Sequence, residues 1–380
     1  MRKSLSAAAV AMSVLTLAAC SGTSTQAGSG PDASDSAGAT TSPALVAAQA
    51  YLDKHSETPT SIGDLTPLSK KPAGAKFLVG LGNGTDDSNA ISDYWKEAAA
   101  SLGWKYKALN AGFTPESQQK AFETALSLNP DGILGGGILA STLKKQLADA
   151  ASKNVAVLMG VSTDKASPTG FFDTSVGGPE QLREWGKMVA AQVAVQSKGR
   201  AKIQMFTLPV YPILTAYDDG FKAAIIEYCP KCTIRENPQQ GSDIGSKTPG
   251  AVVSAVQKAP DTTWISFDLG QSADGVNAAL AAAGMTGKVR IGGLSGTKAN
   301  RQALKDGKQD VWTGFANAIV AYRGVDNMAR HFNGDPIAST PLPTQVITRA
   351  NVGSIVLDTK GDYVGVADYK AQFMKLWQVS

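Results

Sequence analysis

The sequence is poor in the residues that most often carry out covalent or metal-dependent chemistry. Its 380 residues include three cysteines and two histidines, and the histidines, His55 and His331, are far apart in the chain. A zinc site needs about four clustered ligands, and a nucleophilic site needs a base beside its nucleophile. The composition therefore disfavours a hydrolase or a metalloenzyme, and we predict no metal and no cofactor.

Charge of one sign is also scarce. Lys and Arg total 36 against 32 for Asp and Glu, which gives a formal net charge of +4, and no run of basic residues interrupts this balance. Because phosphate backbones are bound by concentrated basic surfaces, nucleic acid is not an expected partner. No segment after residue 19 approaches the ~20 apolar residues of a membrane-spanning helix.

Apolar material for a folded body is present. Apolar residues make up 43% of the chain and charged residues 18%, which is ordinary for a globular protein and too apolar for a disordered one. At roughly 150 residues per domain, the length favours two folding units over one.

The N-terminus has the pattern of an export signal peptide, predicted over residues 1–19. Arg2 and Lys3 precede a short apolar stretch that ends in Leu17-Ala18-Ala19-Cys20. This ending resembles the bacterial lipoprotein box, in which the cysteine is lipidated and becomes the first residue. An ordinary cleaved signal peptide that happens to precede a cysteine is the alternative. The lipoprotein interpretation places the protein in the cell envelope, at the outer face of the cell membrane, with a lipid anchor on Cys20.

The next stretch, residues 20–43, is predicted to be a disordered tether. It consists almost entirely of Ser, Thr, Gly, Ala, Asp and Pro, which offer nothing to bury. Residues 44–75 are interpreted as an N-terminal helix and a connection, because Ser42-Pro43 is a typical helix start.

From residue 76 onward, short strand-like runs alternate with helical stretches. The predicted strands cover residues 77–81, 104–108, 132–134, 155–159, 202–207, 233–235, 264–267, 289–292 and 311–314. Strands that alternate with helices of this length form parallel sheets covered on both faces. Nine strands are more than one such sheet usually holds. The irregular stretch 161–178 divides them into four strands before it and five after it. The pattern predicts an α/β protein with two doubly wound lobes and a ligand at the carboxyl ends of the strands.

Three motifs resemble cofactor-binding or catalytic sequences, but each lacks part of the required pattern. Gly80 to Gly84 follows the first strand, but its spacing differs from the dinucleotide fingerprint and two aspartates follow it. Ser141 to Lys144 and Ser295 to Lys298 match a Ser-x-x-Lys pattern without the accompanying elements of acyl-transfer enzymes. Neither the glycine motif nor the Ser-x-x-Lys pairs predict catalysis.

Cys229 and Cys232 have the spacing of a redox or zinc motif. They follow the C-terminal end of a predicted helix, where the helix dipole disfavours a thiolate, and no histidine is near in sequence. In an exported chain this pattern indicates a structural disulfide that closes a tight turn.

Several short stretches then combine into a family resemblance. They are Ala99 to Trp104, Asn129 to Leu134, Tyr217 to Phe221, Ile291 to Thr297 and Ala303 to Lys308. In order and spacing they resemble the type I periplasmic solute-binding proteins of bacterial ABC importers, similar to ribose- and galactose-binding proteins and to the effector-binding core of lactose-repressor-type regulators. The resemblance covers roughly residues 76–350.

The resemblance implies a division into lobes. The first lobe would contain residues 76–173 plus 317–341, the second residues 176–314 plus 344–358, and the tail 359–380 would pack on the body. Three crossings would form the hinge, near Asp173-Thr174-Ser175, Ala316 and Pro341-Leu342-Pro343.

The sugar-binding residues of the family do not carry over well. Asp87 and Ser88 stand where ribose-type members have stacking aromatics, and Gly160 and Val161 replace an Asp-Arg pair. Ligand contacts are still expected after the strand ends and at the family's contact positions. The candidates are Asn83, Thr85, Asp87, Ser88, Gly136, Tyr211, Tyr217, Asp268, Ser295 and Phe315. Asp87 and Asp268 would approach one ligand from opposite lobes, which favours a sugar, polyol or amine over a carboxylate.

These observations favour a solute-binding lipoprotein that captures a small polar solute, sugar-like or a polyol, and delivers it to an ABC permease. We expect a monomer. A sensory lipoprotein that presents the same solute to a membrane receptor is the alternative, and an envelope enzyme on a Rossmann-like body is the weakest one.

Overall fold

A computed structural model describes residues 42–164, 176–338 and 340–379. The predicted signal peptide, Cys20 and nearly all of the predicted tether lie outside these residues, as does the crossing predicted at Asp173-Thr174-Ser175.

The described chain alternates strands and helices as the sequence pattern predicts. The strands are β1 (Phe77–Gly82), β2 (Lys105–Asn110), β3 (Gly132–Gly136), β4 (Ala156–Gly160), β5 (Lys202–Thr207), β6 (Thr233–Pro238), β7 (Trp264–Phe267), β8 (Arg290–Gly293), β9 (Val311–Thr313) and β10 (Val346–Thr348). The helices are α1 (Pro43–His55), α2 (Asp86–Ser101), α3 (Pro115–Ser127), α4 (Lys144–Ser152), α5 (Pro179–Gln196), α6 (Pro212–Tyr228), α7 (Thr248–Lys258), α8 (Val276–Ala282), α9 (Lys298–Lys305), α10 (Asn317–Asn333) and α11 (Tyr369–Leu376).

The strands form two separate sheets. The first is fully parallel with the order β2-β1-β3-β4. The second has the order β10-β9-β8-β7-β5-β6, in which β10 runs antiparallel to β9 and the other neighbours are parallel. The prediction of two α/β lobes is confirmed. We call the first sheet with α2, α3, α4 and α10 the first lobe, and the second sheet with α5 to α9 the second lobe.

Local sequence signals explain several helix starts. Thr114 caps α3 through a reciprocal capping box with Ser117, directly before Pro115. Thr297 caps α9 in the same way with Asn300. Asn129 adopts a φ of 51° after α3, which turns the chain toward β3. These caps fix where each loop at the sheet edge ends.

Close packing fixes α6 against α5. A Cβ added at Gly186 would lie 2.3 Å from the carbonyl oxygen of Tyr217, and one at Gly220 would lie 2.1 Å from that of Arg183. The two helices approach so closely that only glycine fits at these contacts. This packing positions the loop that leads into α6, which faces the other lobe.

The chain passes between the lobes between β4 and α5, between β9 and α10, and between α10 and β10. Helix α10 returns to the first lobe, where it packs against α2 and β4. Two further segments also run between the lobes. Helix α1 packs on α5 and α6, and the chain then continues to β1; after β10, α11 packs on α10.

Side-chain contacts hold these outer segments in place. Arg323 donates hydrogen bonds to the carbonyl oxygens of Thr340 and Ile62 at 2.7 Å each. Trp377 of the C-terminal segment donates to Asp326 Oδ1 at 2.8 Å. Cys229 and Cys232 form a disulfide in the turn after α6, with their Cα atoms 5.3 Å apart. Among the described residues, no helix has the length and apolar character of a membrane span.

Candidate functional site

A cavity of about 650 Å³ lies between the two lobes. Loops that follow β1, β2, β3 and β4 form its first-lobe wall, and loops that follow β5, β6, β7, β8 and β9 form its second-lobe wall. Carboxyl ends of parallel strands from both sheets therefore face one space, as expected for open α/β sheets. A volume of this size suits a small organic molecule.

The loop between β1 and α2 is held by its own polar side chains. Asn83 Oδ1 accepts hydrogen bonds from the Thr85 backbone N–H at 3.1 Å and from the Thr85 hydroxyl at 2.8 Å. Thr85 caps α2 by accepting from the Ser88 N–H at 3.3 Å, and Ser88 Oγ accepts from the Asn83 N–H at 2.9 Å. All three residues line the cavity, but much of their hydrogen-bonding capacity is used to fix the loop.

Asp87 links the lobes across the cavity. One carboxylate oxygen accepts a hydrogen bond from Gln271 Nε2 of the second lobe at 3.1 Å. The other accepts from Asn317 Nδ2 at the start of α10, at 3.3 Å. Burial raises the pKa of Asp87 above its usual value, and the two amides and the nearby Arg301 oppose that rise. The carboxylate is therefore already paired with protein donors in this closed arrangement of the lobes.

The predicted contacts on the other walls also reach the cavity. Gly136 at the end of β3, Tyr211 before α6, Ser295 after β8 and Phe315 after β9 all line it. Ser295 has a φ of 55°, a conformation that non-glycine residues rarely adopt. Val161, at the passage from β4 to the second lobe, also lines the cavity and has a φ of 50°. Such backbone strain concentrates at functional sites.

Two predicted contacts do not lie on the cavity wall. Tyr217 and Asp268 are both 0% exposed and are absent from the lining. Asp268 Oδ2 instead accepts a hydrogen bond from the Leu208 N–H at 2.5 Å, which joins the loops after β7 and β5. Tyr217 lies on the buried face of α6 and packs against Phe221. The expectation that Asp87 and Asp268 approach one ligand is therefore wrong for Asp268.

Asp268 belongs to a buried acidic pair beneath the second-lobe wall. Burial and the neighbouring Asp218 raise the pKa of Asp268 well above its usual value. Burial raises the pKa of Asp218 to about 7, with Lys222 opposing and with Glu236 and Asp219 adding to the rise. Oδ1 of each carboxyl has no hydrogen-bond partner among the described residues. Both groups favour the protonated form inside the lobe.

Most of the aromatic side chains that line the cavity were not predicted from the sequence. Trp95 on α2, Phe113 after β2 and Trp185 on α5 join Tyr211 and Phe315 around the cavity. Trp185 contacts Phe315 edge to face, with ring centroids 5.6 Å apart. Trp95 and Trp185 lie inside helices rather than after strand ends, so a search limited to strand ends could not find them. Phe113 follows the end of β2, so its position after a strand end does predict a place at the cavity.

The structure has two parallel α/β lobes and a ligand-sized cavity between the strand ends of both. This arrangement is the one that defines the class of two-lobed binding proteins. A family model agrees and narrows the class. Residues 83–336, more than half of the chain, match the periplasmic binding protein domain. The chain belongs to this family, with the type I fold of the sugar-binding proteins of ABC transporters.

Solved structures support the same fold. An ABC sugar transporter subunit from Rhodobacter sphaeroides is 20% identical with a TM-score of 0.62, over 73% of this chain and 99% of that chain. A solute-binding protein from Burkholderia graminis, in complex with D-arabinose, is 17% identical with a TM-score of 0.65, over 76% and 99%. One from Bacillus halodurans with bound myo-inositol is 17% identical with a TM-score of 0.61, over 75% and 98%. A search of curated proteins gives no match.

Proposed function

We propose that this protein is the membrane-anchored solute-binding component of an ABC importer. It captures a small organic solute between its lobes and delivers it to a permease. The observation that carries this proposal is the cavity between the lobes, which strand-end loops of both lobes line. Membership of the periplasmic binding protein family supports it, because that family serves this type of transport.

The mechanism is closure of a hinge. A solute that contacts both walls favours the closed arrangement over the open one, and its differential contacts shift the equilibrium between them. The hydrogen bond from Gln271 to Asp87 forms only when the lobes meet, so it adds to the stability of the closed state. The permease would then recognise the closed surface of both lobes.

The lobes move as the units that the sequence indicates. We propose the first lobe as residues 76–173 plus 317–341 and the second as residues 176–314 plus 344–358. The ligand contacts proposed for the cavity are the eight predicted residues that line it: Asn83, Thr85, Asp87, Ser88, Gly136, Tyr211, Ser295 and Phe315. Solved relatives carry D-arabinose and myo-inositol, so a sugar and a polyol belong in the screen for the solute.

Anchoring is part of the proposal and has its own test. Residues 1–19 would be removed as a signal peptide, Cys20 would carry the lipid, and residues 20–43 would tether the body to the membrane. Cys20→Ser should release the protein from the membrane fraction into the aqueous phase. Continued dependence on detergent would contradict the lipid anchor.

The capture mechanism is tested by blocking the cavity. A Cβ at Gly136 would have only Gly160 O at 3.6 Å and Val161 Cγ2 at 4.0 Å as near neighbours, so Gly136→Phe places a ring in the cavity with little backbone clash. A panel of sugars, polyols, amines and organic acids is screened by thermal shift. Compounds that bind are then examined by small-angle scattering.

Binding compounds should raise the melting temperature of the wild type and reduce its radius of gyration. Gly136→Phe should abolish both effects. The matched control Gly250→Phe adds a ring at a glycine of α7 whose Cβ would have no neighbour within 4 Å, and it should behave as the wild type. Binding without compaction, or binding that survives in Gly136→Phe, would contradict capture between the lobes.

A further inference from the structure

The walls of the cavity are mainly apolar on both sides. Aromatic rings come from the first lobe, with Trp95 and Phe113, and from the second lobe, with Trp185, Tyr211 and Phe315. Aliphatic side chains such as Ile91, Leu158 and Leu294 also line the cavity. A solute held between the closed lobes therefore meets apolar surface on both of its faces, and burial of apolar surface is the main source of its binding energy.

Charged side chains are almost missing from this lining. Among the described residues that line the cavity, Asp87 is the one charged side chain, and none is Lys, Arg or His. Both oxygens of Asp87 already accept hydrogen bonds from Gln271 and Asn317. An anionic solute has no described counter-charge here, and a neutral polyol finds no free carboxylate for its hydroxyl groups.

The polar side chains of the β1–α2 loop are similarly committed. Asn83, Thr85 and Ser88 bond to one another and to the backbone at the start of α2. A free sugar presents hydroxyl groups around its whole ring, and each one that is buried without a partner weakens binding. Gln118, Tyr211, Gln240, Ser242 and Ser295 are further polar side chains of the lining, so it can pair a few polar groups of a solute while most of the wall stays apolar.

Two apolar side chains at the cavity remain exposed in this structure. Phe113 of the first lobe is 55% exposed and Val210 of the second lobe is 57% exposed. A solute in the cavity could cover part of both side chains, and this would add to the apolar surface that binding buries. On the polar side, Trp95 belongs to the lining, and its indole N–H is buried without a hydrogen-bond partner among the described residues.

We propose that the solute is an uncharged aromatic or alicyclic compound with one or two polar groups, rather than a free monosaccharide or a polyol. The apolar ring system lies between the aromatic walls, and a hydroxyl or carbonyl oxygen accepts from Trp95. This inference rests on the proposed function and specifies its solute. It departs from the sugars that name the solved relatives.

The experiment compares ring compounds that differ in hydroxyl content. Purified full-length protein is titrated with 2-naphthol, cyclohexanol, myo-inositol and D-arabinose by calorimetry, and N-phenyl-1-naphthylamine serves as a fluorescent reporter for displacement. Cyclohexanol and myo-inositol share a six-carbon ring and differ in their hydroxyl groups. We expect 2-naphthol to displace the reporter at concentrations at least about tenfold below those of myo-inositol and D-arabinose, and cyclohexanol to bind better than myo-inositol.

Variants locate the binding. Phe113→Ala removes a largely exposed ring from the cavity and should weaken 2-naphthol binding by about tenfold. Ile226→Ala, which removes a 74% exposed apolar side chain of α6 outside the lining, is the matched control and should leave binding unchanged. Gly136→Phe should abolish reporter binding, and Gly250→Phe should not.

Three results would overturn the inference. The first is tighter binding of myo-inositol or D-arabinose than of 2-naphthol, with sensitivity to Gly136→Phe, which would leave capture between the lobes intact. The second is reporter binding that Gly136→Phe does not affect, since the apolar site would then lie elsewhere. The third is no binding of any ring compound while a charged member of the wider panel compacts the protein, which would retain the function and refute the solute class.

Discussion

The loops after β1 and β7 lie in different lobes, and each supplies an aspartate close to the carboxyl end of a central strand. Asp87 lies in the first turn of α2, lines the cavity, and bonds to Gln271 of the opposite lobe. Asp268 follows β7 directly, is fully buried, and bonds to the Leu208 N–H of the neighbouring loop in its own lobe. One carboxylate joins two lobes, and the other joins two loops of one lobe.

The difference shows why a position after a strand end is not sufficient to define a ligand contact. The end of β5 lies next to that of β7, and its loop begins with a backbone N–H that needs an acceptor. Asp268 satisfies that donor and is thereby turned away from the cavity. After β1, the side chains of Asn83, Thr85 and Ser88 fix the loop by themselves, which leaves Asp87 free to reach across to Gln271.

The largest expected effect comes from removing the second-lobe carboxylate. Asp268→Ala leaves the buried Leu208 N–H without its acceptor, and we expect a loss of about 2 kcal/mol in the free energy of unfolding. Urea denaturation of the purified protein measures the change in the free energy of unfolding.

The control for this variant is Asp261→Ala, at an exposed turn before β7, which should change stability by no more than about 0.5 kcal/mol. If Asp268→Ala is as stable as this control and instead loses affinity for a cavity ligand, Asp268 has a binding role and the contrast between the loops is incorrect.

The second prediction concerns pH. The pKa of Asp218 is about 7 in the folded lobe because of burial, against an ordinary value of 3.8 in the unfolded chain. The folded state therefore retains a proton that the unfolded state releases, and the free energy of unfolding falls as pH rises from about 4 to about 7. Asp268, whose pKa is also raised, acts in the same direction. Lys222, Glu236 and Asp219 are the other charged groups around Asp218.

Asp218→Asn should flatten this dependence, because the amide stays neutral at every pH. Urea denaturation at pH 5, 6, 7 and 8 should show a smaller slope than in the wild type, with the variant gaining relative stability toward pH 8. Asp219→Asn, at the exposed neighbouring position, should keep most of the wild-type slope, because Asp219 is the smallest of the causes that raise the pKa of Asp218. Equal slopes in the wild type and Asp218→Asn would refute a buried protonated carboxyl at this position.

Much of the fold follows from local sequence pattern. All nine predicted strands are present, and the central ones are short buried apolar runs with helices between them. The edge strands β2 and β6 are largely exposed and have mixed sequences. The antiparallel strand β10 and helix α11 were not predicted. Strand β10 has three residues and depends on pairing with β9, and α11 depends on packing of Phe373 and Trp377 around Tyr322. Both are stabilised by tertiary contacts that local patterns do not contain.

The cavity could be predicted only in part. Strand-end logic and the family resemblance located eight of the ten proposed contacts on its wall, but they could not distinguish Asp87 from Asp268. That distinction depends on which backbone donor lies next to each carboxylate, which is a property of the assembled sheet. Trp95 and Trp185 were missed for a related reason, because they lie within helices and reach the cavity only through the packing of those helices against the sheets.

The smallest expected effect tests the interlobe bond itself. Gln271→Ala removes the second-lobe donor to Asp87 and leaves the Asn317 hydrogen bond in place. A hydrogen bond to a carboxylate at a partly buried site is worth about 1 kcal/mol net, so the closed state should become about fivefold less populated relative to the open state. Small-angle scattering of the ligand-free protein should show a larger radius of gyration. Gln302→Ala removes a similar amide–carboxylate bond, to Asp306 on the second-lobe surface, and should leave the radius unchanged. Equal radii of gyration for Gln271→Ala and Gln302→Ala would show that Asp87 does not help to hold the lobes together. Asp87 and Asp268 would then differ only in that Asp87 lines the cavity and Asp268 is buried.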